Sequence, residues 1–145
     1  MNGAVQRAWV GVVSRAHVRL GVEGGFAQLC HGKRGPLARI GVGDWLVYYS
    51  PRAAMADGAP LRAFTAIGRV VGEAAAPVDM GGGFVPFRRA VAYERAREVP
   101  FVDLKGQLTF ARDRAWGRLA RRGVFEIPLS DALVLARAMC PSSRS

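Results

Sequence analysis

The stretch Asp44-Trp-Leu-Val-Tyr-Tyr-Ser50 decides the fold class. It is rich in the aromatic and β-branched residues typical of strands, the turn-like Gly41-Val-Gly precedes it, and Pro51 ends it. Because successive side chains of a strand point to opposite faces, the stretch divides into two sets. One set is Trp45, Val47 and Tyr49, and the other is Leu46, Tyr48 and Ser50. We expect only one set to fill the core, which leaves the other for a pocket, and we take Tyr48, Tyr49 and Ser50 as candidate ligand-binding residues.

Four further segments have a similar composition and are separated by Gly and Pro. They span residues 9–14, 64–71, 87–96 and 124–127. The connection at residues 52–62 is long enough to be a lid or a binding loop. Several short strands at close spacing predict a small β-barrel with peripheral helices, in the α+β class.

Two helices are predicted from capping residues and apolar periodicity. Ser14 is a candidate cap for a short helix over residues 16–22, and Ser130-Asp131 begins a second helix that ends near Met139. The apolar face of this second helix is Leu129, Leu133 and Ala136. Residues 104–122 have only weak helical periodicity, so their structure is left open.

The composition describes one small basic domain. The chain has 145 residues, of which 50% are hydrophobic, so it has enough apolar surface for one core and is not a disordered tail. We expect a single domain over residues 1–145, with a frayed polar tail at 141–145. The net charge of +10 favours a polyanionic partner, with nucleic acid as the first candidate. A high-GC genome, which favours Arg, Ala and Gly, is the alternative explanation.

The cysteines and the hydropathy pattern bear on the compartment. Cys30 and Cys140 are too few for the disulfide framework of a small secreted protein, so we expect two reduced thiols. Arg7 and Arg15 bracket the apolar run at residues 10–13 too closely for a signal peptide. No segment reaches the roughly 18 apolar residues that a membrane span needs. We therefore expect a cytoplasmic protein without a membrane anchor.

Three short motifs lack residues that the sites they suggest would require. Gly41-Val-Gly-Asp-Trp-Leu46 has no third Gly of a dinucleotide fingerprint and precedes a strand. The run ending at Gly32-Lys33 has neither the first Gly nor the Ser or Thr of a phosphate-binding loop. Cys30 and His31 have no two further ligands at ordinary zinc spacing, so they predict no metal site. They would point to opposite faces of an extended chain, so they predict no catalytic pair either. We expect no metal and no cofactor.

A basic cluster surrounds Trp116. Five arginines lie within eleven residues: Arg112, Arg114, Arg118, Arg121 and Arg122. A guanidinium group donates two parallel hydrogen bonds to phosphate, and an interleaved aromatic ring can stack on a base. A second basic set, Phe87-Arg-Arg89, follows the Gly-rich Gly81-Gly-Gly-Phe84. The clusters predict phosphate binding, with a solvated charged face as the alternative.

The order of six blocks resembles the EVE-domain family. The blocks are Trp9-Val-Gly-Val-Val-Ser-Arg-Ala-His-Val18, Gly21-Val-Glu-Gly-Gly-Phe-Ala-Gln-Leu-Cys-His-Gly-Lys33, Gly43-Asp-Trp-Leu-Val-Tyr-Tyr-Ser-Pro51, Phe64-Thr-Ala-Ile-Gly-Arg-Val70, Phe87-Arg-Arg89 and Phe125-Glu-Ile127. The resemblance runs over about residues 9–139, and ordered blocks are more specific than any single motif. It implies a PUA-like fold, which is a small mixed β-barrel with flanking helices.

The resemblance also implies a site. The family is similar to YTH domains, which hold a methylated adenine in an aromatic cage, so we expect recognition of a modified base in DNA or RNA by a monomer. The pocket residues implied are Ser14, Phe26, Gln28, Phe84, Phe87 and Arg89. The phosphate-binding candidates are Lys33, Arg88, Arg112, Arg114, Arg118, Arg121 and Arg122. A dry pocket with flat apolar faces and few polar groups favours a methylated base over the plain base.

Two other functions remain open. The resemblance extends to ASCH domains, some of which are amidohydrolases that act on modified nucleosides through Lys, Thr and Glu. Lys33 lies near Glu23 in the sequence but beside no Thr, so we expect a binding protein and not an enzyme. The remaining possibility is a module that binds a small ligand or a peptide terminus.

Overall fold

The computed structural model describes residues 6–54, 58–112 and 114–141, and these form eight strands and six α-helices. The strands are β1 (Ala8–Val12), β2 (Phe26–Ala27), β3 (Trp45–Arg52), β4 (Pro60–Val70), β5 (Ala76–Pro77), β6 (Phe87–Tyr93), β7 (Val99–Pro100) and β8 (Val124–Ile127). The helices are α1 (Arg15–Gly24), α2 (Arg34–Ala38), α3 (Phe101–Leu104), α4 (Thr109–Arg112), α5 (Trp116–Arg121) and α6 (Leu129–Met139). No helix within the described ranges is long and apolar enough to cross a membrane.

The strands form one mixed sheet. Its main order is β2-β6-β4-β3-β1-β8, with β5 paired to β6 and β7 paired to β4. Strands β1 and β3 are parallel, with Val10 opposite Val47, and the other pairs are antiparallel. The sheet curls into a half-barrel flanked by the helices, which confirms the predicted α+β class and architecture.

The strands predicted from composition are present, whereas the predicted lid is wrong. Strand β3 continues to Arg52 and β4 begins at Pro60, and these two residues face each other in the ladder. The backbone N–H of Ala53 donates to the carbonyl of Ala59 at 2.9 Å. Residues 52–62 therefore belong mainly to a hairpin, because the pairing of β3 with β4 continues past Pro51. Three of its connecting residues, 55–57, lie outside the described residues, as do 142–145 of the predicted tail.

Both faces of β3 are buried, which corrects the expectation that only one face fills the core. Val47 and Tyr49 belong to one apolar cluster, with Phe64, Phe101 and the α6 residues Leu135 and Met139. Leu46 and Tyr48 belong to a second cluster, with Trp9, Leu29 and Val91. The curl of the sheet and the covering helices give each face its own core.

The buried face of α6 is offset by one residue from the predicted face. Its buried residues include Ala132, Leu135 and Met139, whereas Leu129 and Leu133 are 41% and 44% exposed. A buried carboxylate accounts for the difference. Asp131 accepts hydrogen bonds from the backbone N–H groups of Thr109 and Phe110 at 3.0 and 3.1 Å, and this bond pair fixes α6 against α4.

Candidate functional site

A cleft of about 570 Å³ lies beside Tyr48, within the range of roughly 300–1,000 Å³ found for small-molecule sites. Its walls come from the connection between β1 and α1, from β2 and the turn after it, from the Gly-rich segment before β6, and from the end of α5. We call it the Tyr48 cleft. Its lining includes Ser14, Phe26, Gln28, Tyr48, Phe84, Arg88 and Arg121.

Tyr48 supplies the most buried aromatic ring of the cleft, with 2% of its surface exposed. Gly11 on β1 permits this packing, because a Cβ there would lie 3.1 Å from the Tyr48 ring. On its other side the ring stacks with Tyr93, at 6.4 Å between centroids. Burial raises the pKa of Tyr48 to about 12, against the opposing effect of hydrogen bonds with Tyr93 and the Gln28 backbone. The hydroxyl is therefore neutral at physiological pH.

Arg88 forms a second flat wall together with Phe26 and Gln28. Its guanidinium carbon lies 4.0 Å from the centroid of the Phe26 ring, which is a cation–π geometry. Its Nε donates to Oε1 of Gln28 at 3.0 Å, and one terminal nitrogen contacts the Met80 sulfur at 3.4 Å. The pairing of β2 with β6 brings these side chains together, since Ala27 lies opposite Arg89. The cation is thus held by its neighbours before any ligand arrives.

The turn at residues 29–32 borders the cleft and has a strained backbone. Cys30 and His31 have φ angles of 50° and 60°, and the N–H of Gly32 donates to the carbonyl of Leu29 at 2.9 Å. Residues other than Gly rarely adopt this left-handed conformation, and such strain is often found at binding sites. Burial raises the pKa of the Cys30 thiol, which Lys33 and Arg39 oppose, so the thiol remains protonated.

The electrostatics of the cleft are cationic. Arg88 and Arg121 supply its positive charge, and the lining contains no Asp or Glu. The ion pairs among the described residues, Arg7 with Glu126 and Arg15 and Arg19 with Glu98, involve neither of the cleft arginines. Ser14 and His17 contact each other at 3.2 Å between Oγ and Nδ1. No group of three or more His, Cys, Asp or Glu side chains that could hold a metal ion occurs in the described ranges.

The model of the EVE domain family matches residues 7–138. The chain belongs to the EVE-domain family. Curated relatives support this membership: the chain is 49% identical over 132 residues to UPF0310 protein YdcG of Bacillus subtilis, covering 90% of each chain. A UPF0310 protein of Mycolicibacterium vanbaalenii is 44% identical over 132 residues, covering 90% of this chain and 91% of the relative.

Solved structures share the fold of this EVE domain. A hypothetical protein from Leishmania major superposes with a TM-score of 0.60 at 12% identity, covering 92% of this chain and 94% of that one. The protein Rpa0253 from Rhodopseudomonas palustris has a TM-score of 0.57 at 15% identity, covering 91% and 92%. At these identities the likeness concerns architecture alone.

The EVE domain brings most of the predicted pocket together. Five of the predicted ligand-binding residues line the Tyr48 cleft: Ser14, Phe26, Gln28, Tyr48 and Phe84. Two of the predicted phosphate-binding residues, Arg88 and Arg121, also line it. These residues lie in distant parts of the sequence, so their convergence is a property of the fold.

Four predicted ligand-binding residues do not line the cleft. Arg89 is 5% exposed and its guanidinium donates to the carbonyls of Leu37, at 2.7 Å, and Gly72, at 2.8 Å, and also to the carbonyl of Ile40. Phe87 packs against the second apolar cluster. Tyr49 lies in the first cluster, and the Ser50 hydroxyl is 2.8 Å from that of Thr65. All four side chains are engaged in connecting parts of the fold.

The basic cluster is spread over the surface and does not form one site. Arg114 and Arg118 are exposed, as is Arg112, which donates to the carbonyl of Gly106 at 2.6 Å. Arg122 lines a second cavity of about 420 Å³, and Lys33 is exposed outside both cavities. The expectation that Trp116 stacks on a base is wrong, because its partly buried ring stacks on Phe101, at 4.8 Å between centroids, and packs against the first apolar cluster.

Sequence reasoning missed both histidines of the chain as cleft residues. An extended backbone at Cys30 and His31 would point their side chains to opposite faces, but both residues have left-handed backbone and line the cleft. The sequence signal for this turn is Gly32, because a Gly after two polar residues is typical of a tight turn. In the structure Gly32 has a φ of 83°. His17 follows Ser14 by one helical turn, and this spacing alone indicated their contact.

Proposed function

We propose that this EVE domain binds nucleic acid and holds one modified base, carrying a methyl group, in the Tyr48 cleft. The observation that carries the proposal is the combination of flat aromatic and guanidinium faces with cations in a lining that has no carboxylate. Such a lining suits a planar, weakly polar ring attached to a phosphate chain. Membership of the EVE family supports a binding module.

The dimensions and the surfaces of the cleft favour an extruded base. Phe26, Tyr48 and Phe84 offer aromatic contacts, and the Arg88 guanidinium adds a planar cation already stacked on Phe26. A base must leave its stack to enter, which costs a few kcal/mol in a duplex and less in a single strand. We therefore expect single-stranded or mismatched nucleic acid to bind better than a matched duplex.

Phosphate contacts supply much of the affinity in this proposal. Arg121 lines the Tyr48 cleft and its neighbour Arg122 lines the second cavity, and Cys30 borders both. A nucleic-acid strand whose base occupies the cleft therefore lies beside these arginines, at the C-terminal end of α5. The net charge of +10 adds long-range attraction for the same polyanion.

The hydrolase alternative receives no support from the cleft. Its lining contains no Lys, Thr or Glu, and Lys33, the candidate for such chemistry, is exposed outside it. We therefore retain a binding role without catalysis as the proposal. Incubation with modified nucleosides and chromatography of the products would detect turnover if it occurs.

Phe84 offers the cleanest test because it is 50% exposed and its removal leaves the core intact. Calorimetry would compare short single-stranded DNA and RNA oligonucleotides with one methylated or one plain base. We expect Phe84→Ala to weaken binding by about 1–3 kcal/mol, the value of one stacking contact. Val85→Ala is the matched control, since Val85 is 47% exposed next to Phe84 but does not line the cleft. Equal affinity of wild type for methylated and plain oligonucleotides would contradict the proposal.

A further inference from the structure

Gln28 has a fixed orientation that determines what it offers to a ligand. Its Oε1 accepts a hydrogen bond from Nε of Arg88 at 3.0 Å. A guanidinium group only donates hydrogen bonds, so the amide atom that faces it must be the oxygen. The amide nitrogen of Gln28 has no partner among the described residues, and Gln28 lines the cleft. The side chain therefore presents two unpaired N–H donors.

Three backbone carbonyls beside the Tyr48 cleft already accept hydrogen bonds. The carbonyl of Phe26 accepts from the Tyr93 hydroxyl at 2.8 Å, and the carbonyl of Gly123 accepts from the N–H of Val12 at 2.7 Å. The carbonyl of Gly21 accepts the N–H of Gly25 at the end of α1. Carboxylates are absent from the lining. Among the side chains of the lining, Arg88, Arg121 and the Gln28 amide nitrogen can only donate, whereas the hydroxyl and imidazole groups can donate or accept. Groups that only donate are therefore in excess in the Tyr48 cleft.

This excess distinguishes between bases by their exocyclic groups. Proteins read the amino group of cytosine with Asp or Glu, and they read adenine with the paired carbonyl and amino group of Asn or Gln. The carbonyl of Gln28 is bonded to Arg88, and an amino group at its remaining lone pair would bring another positively polarised N–H beside the guanidinium. A base carbonyl, in contrast, accepts from the free N–H groups of Gln28.

We propose, on the basis of the proposed function, that the modified base is a 4-oxopyrimidine or a 6-oxopurine, read at that carbonyl by the Gln28 amide. Bases of this class are the uracil, thymine and guanine types. Arg88 has two roles in the recognition: it stacks on Phe26 and it holds the Gln28 amide with its N–H groups toward the ligand. The methyl group or other modification then lies elsewhere on the ring, against the aromatic walls.

The test is a nuclear magnetic resonance titration of the isotope-labelled protein with deoxynucleoside 5′-monophosphates. The oxo probes are those of thymine, 5-hydroxymethyluracil and guanine, and the amino probes are those of 5-methylcytosine and N6-methyladenine. We expect at least one oxo probe to bind about 10-fold or more tightly than either amino probe, the size of one good base contact.

Gln28→Glu sharpens the test, because a carboxylate keeps the bond to Arg88 but removes both donors. We expect this variant to lose about 10-fold or more in affinity for the oxo probes and to reduce or reverse their advantage over the amino probes. Gln107→Glu makes the same charge change at an exposed residue outside the cleft and should leave every affinity unchanged.

The outcomes separate this inference from the proposed function. Tighter binding of an amino probe by wild type, or an unchanged ratio in a folded Gln28→Glu, overturns the inference while base binding in the cleft stands. Failure of wild type to bind any mononucleotide or any oligonucleotide overturns both. If Gln28→Glu does not fold, the ranking of the probes by wild type decides.

Discussion

Tyr48 and Tyr49 are adjacent on β3 and almost equally buried, yet they point to opposite faces of the sheet, and these two faces are packed differently. Tyr49 has rings packed around it, with Phe64, Phe101 and Trp116 at 5.6, 5.7 and 5.3 Å between centroids. Tyr48 has one stacked ring, Tyr93, and then borders an open cleft. The closed side stabilises the fold, and the open side is available to a ligand.

Small residues account for the difference. Gly11 beside Tyr48 leaves room for its ring, and Gly123 has Cys30 Sγ at 2.8 Å from where a Cβ would lie. Gly123 has a φ of 85°, which also restricts the position to Gly. On the closed side, bulky rings from α3, α4 and α5 occupy the corresponding space. A binding cavity is thus formed where the sequence places Gly, and a core is formed where it places Phe and Trp.

The largest expected effect concerns the stability of the closed side. Phe64 has no exposed surface, so Phe64→Ala should lower the free energy of unfolding by about 3–5 kcal/mol. Phe84→Ala, at the half-exposed rim of the cleft, should change it by less than about 1 kcal/mol. Urea denaturation followed by tryptophan fluorescence measures both values. Similar losses in the two variants would show that the two sides do not differ as described.

The next effect concerns alkaline pH. The pKa of Tyr48 is raised from 10.0 to about 12, so the folded state favours the neutral phenol. The associated stability is present below about pH 10 and is lost as pH rises toward 12. Tyr48→Phe should therefore remove about 1 kcal/mol of the stability that wild type loses between about pH 9 and about pH 11.

Tyr49→Phe is the matched control for this pH effect. Burial also raises the pKa of Tyr49, but nearby Arg62 favours its charged form and opposes the shift. This variant should retain most of the alkaline loss. The measurement is urea denaturation of the three proteins at about pH 9 and about pH 11. A Tyr48→Phe protein that loses as much stability as wild type would contradict the assignment.

The smallest effect separates cations in the cleft from cations on the surface. Each phosphate neutralised contributes about 0.7–0.9 to the slope of log affinity against log salt. Arg121→Ala should reduce that slope by about one such increment for a short oligonucleotide. Arg118→Ala, on the same helix but outside the cleft lining, should reduce it less. Equal reductions would indicate a diffuse basic surface.

Much of the fold was accessible from the sequence because strand composition and turn residues are local signals. Strand β8 has the predicted bounds, and the family resemblance supplied the architecture. The two-residue strands β2, β5 and β7 were not accessible, since pairing with distant partners creates them. The rotation of α6 was also missed, because the bonds of Asp131 to α4 are contacts between distant segments.

The sequence predicted some of the residues that line the Tyr48 cleft and misplaced others. Residue type indicated aromatic and cationic side chains, and the fold brings Phe26, Gln28 and Phe84 to one cleft. Residue type did not distinguish Arg88 from Arg89, although one stacks on Phe26 in the cleft and the other is buried among backbone carbonyls. Because successive side chains of β6 point to opposite faces of the sheet, Arg88 and Arg89 lie on different faces. Only the structure shows which of these faces borders the cleft.

Intermolecular nuclear Overhauser effects test most directly whether the base binds on the Tyr48 side. The sample is the EVE domain with the tightest-binding oligonucleotide of the calorimetric panel. We predict contacts from the protons of one base to the rings of Phe26, Tyr48 and Phe84, and none to the rings of Tyr49, Phe101 or Trp116. Contacts of the base to Trp116, or contacts of the oligonucleotide confined to the exposed arginines of α4 and α5, would contradict the proposed site.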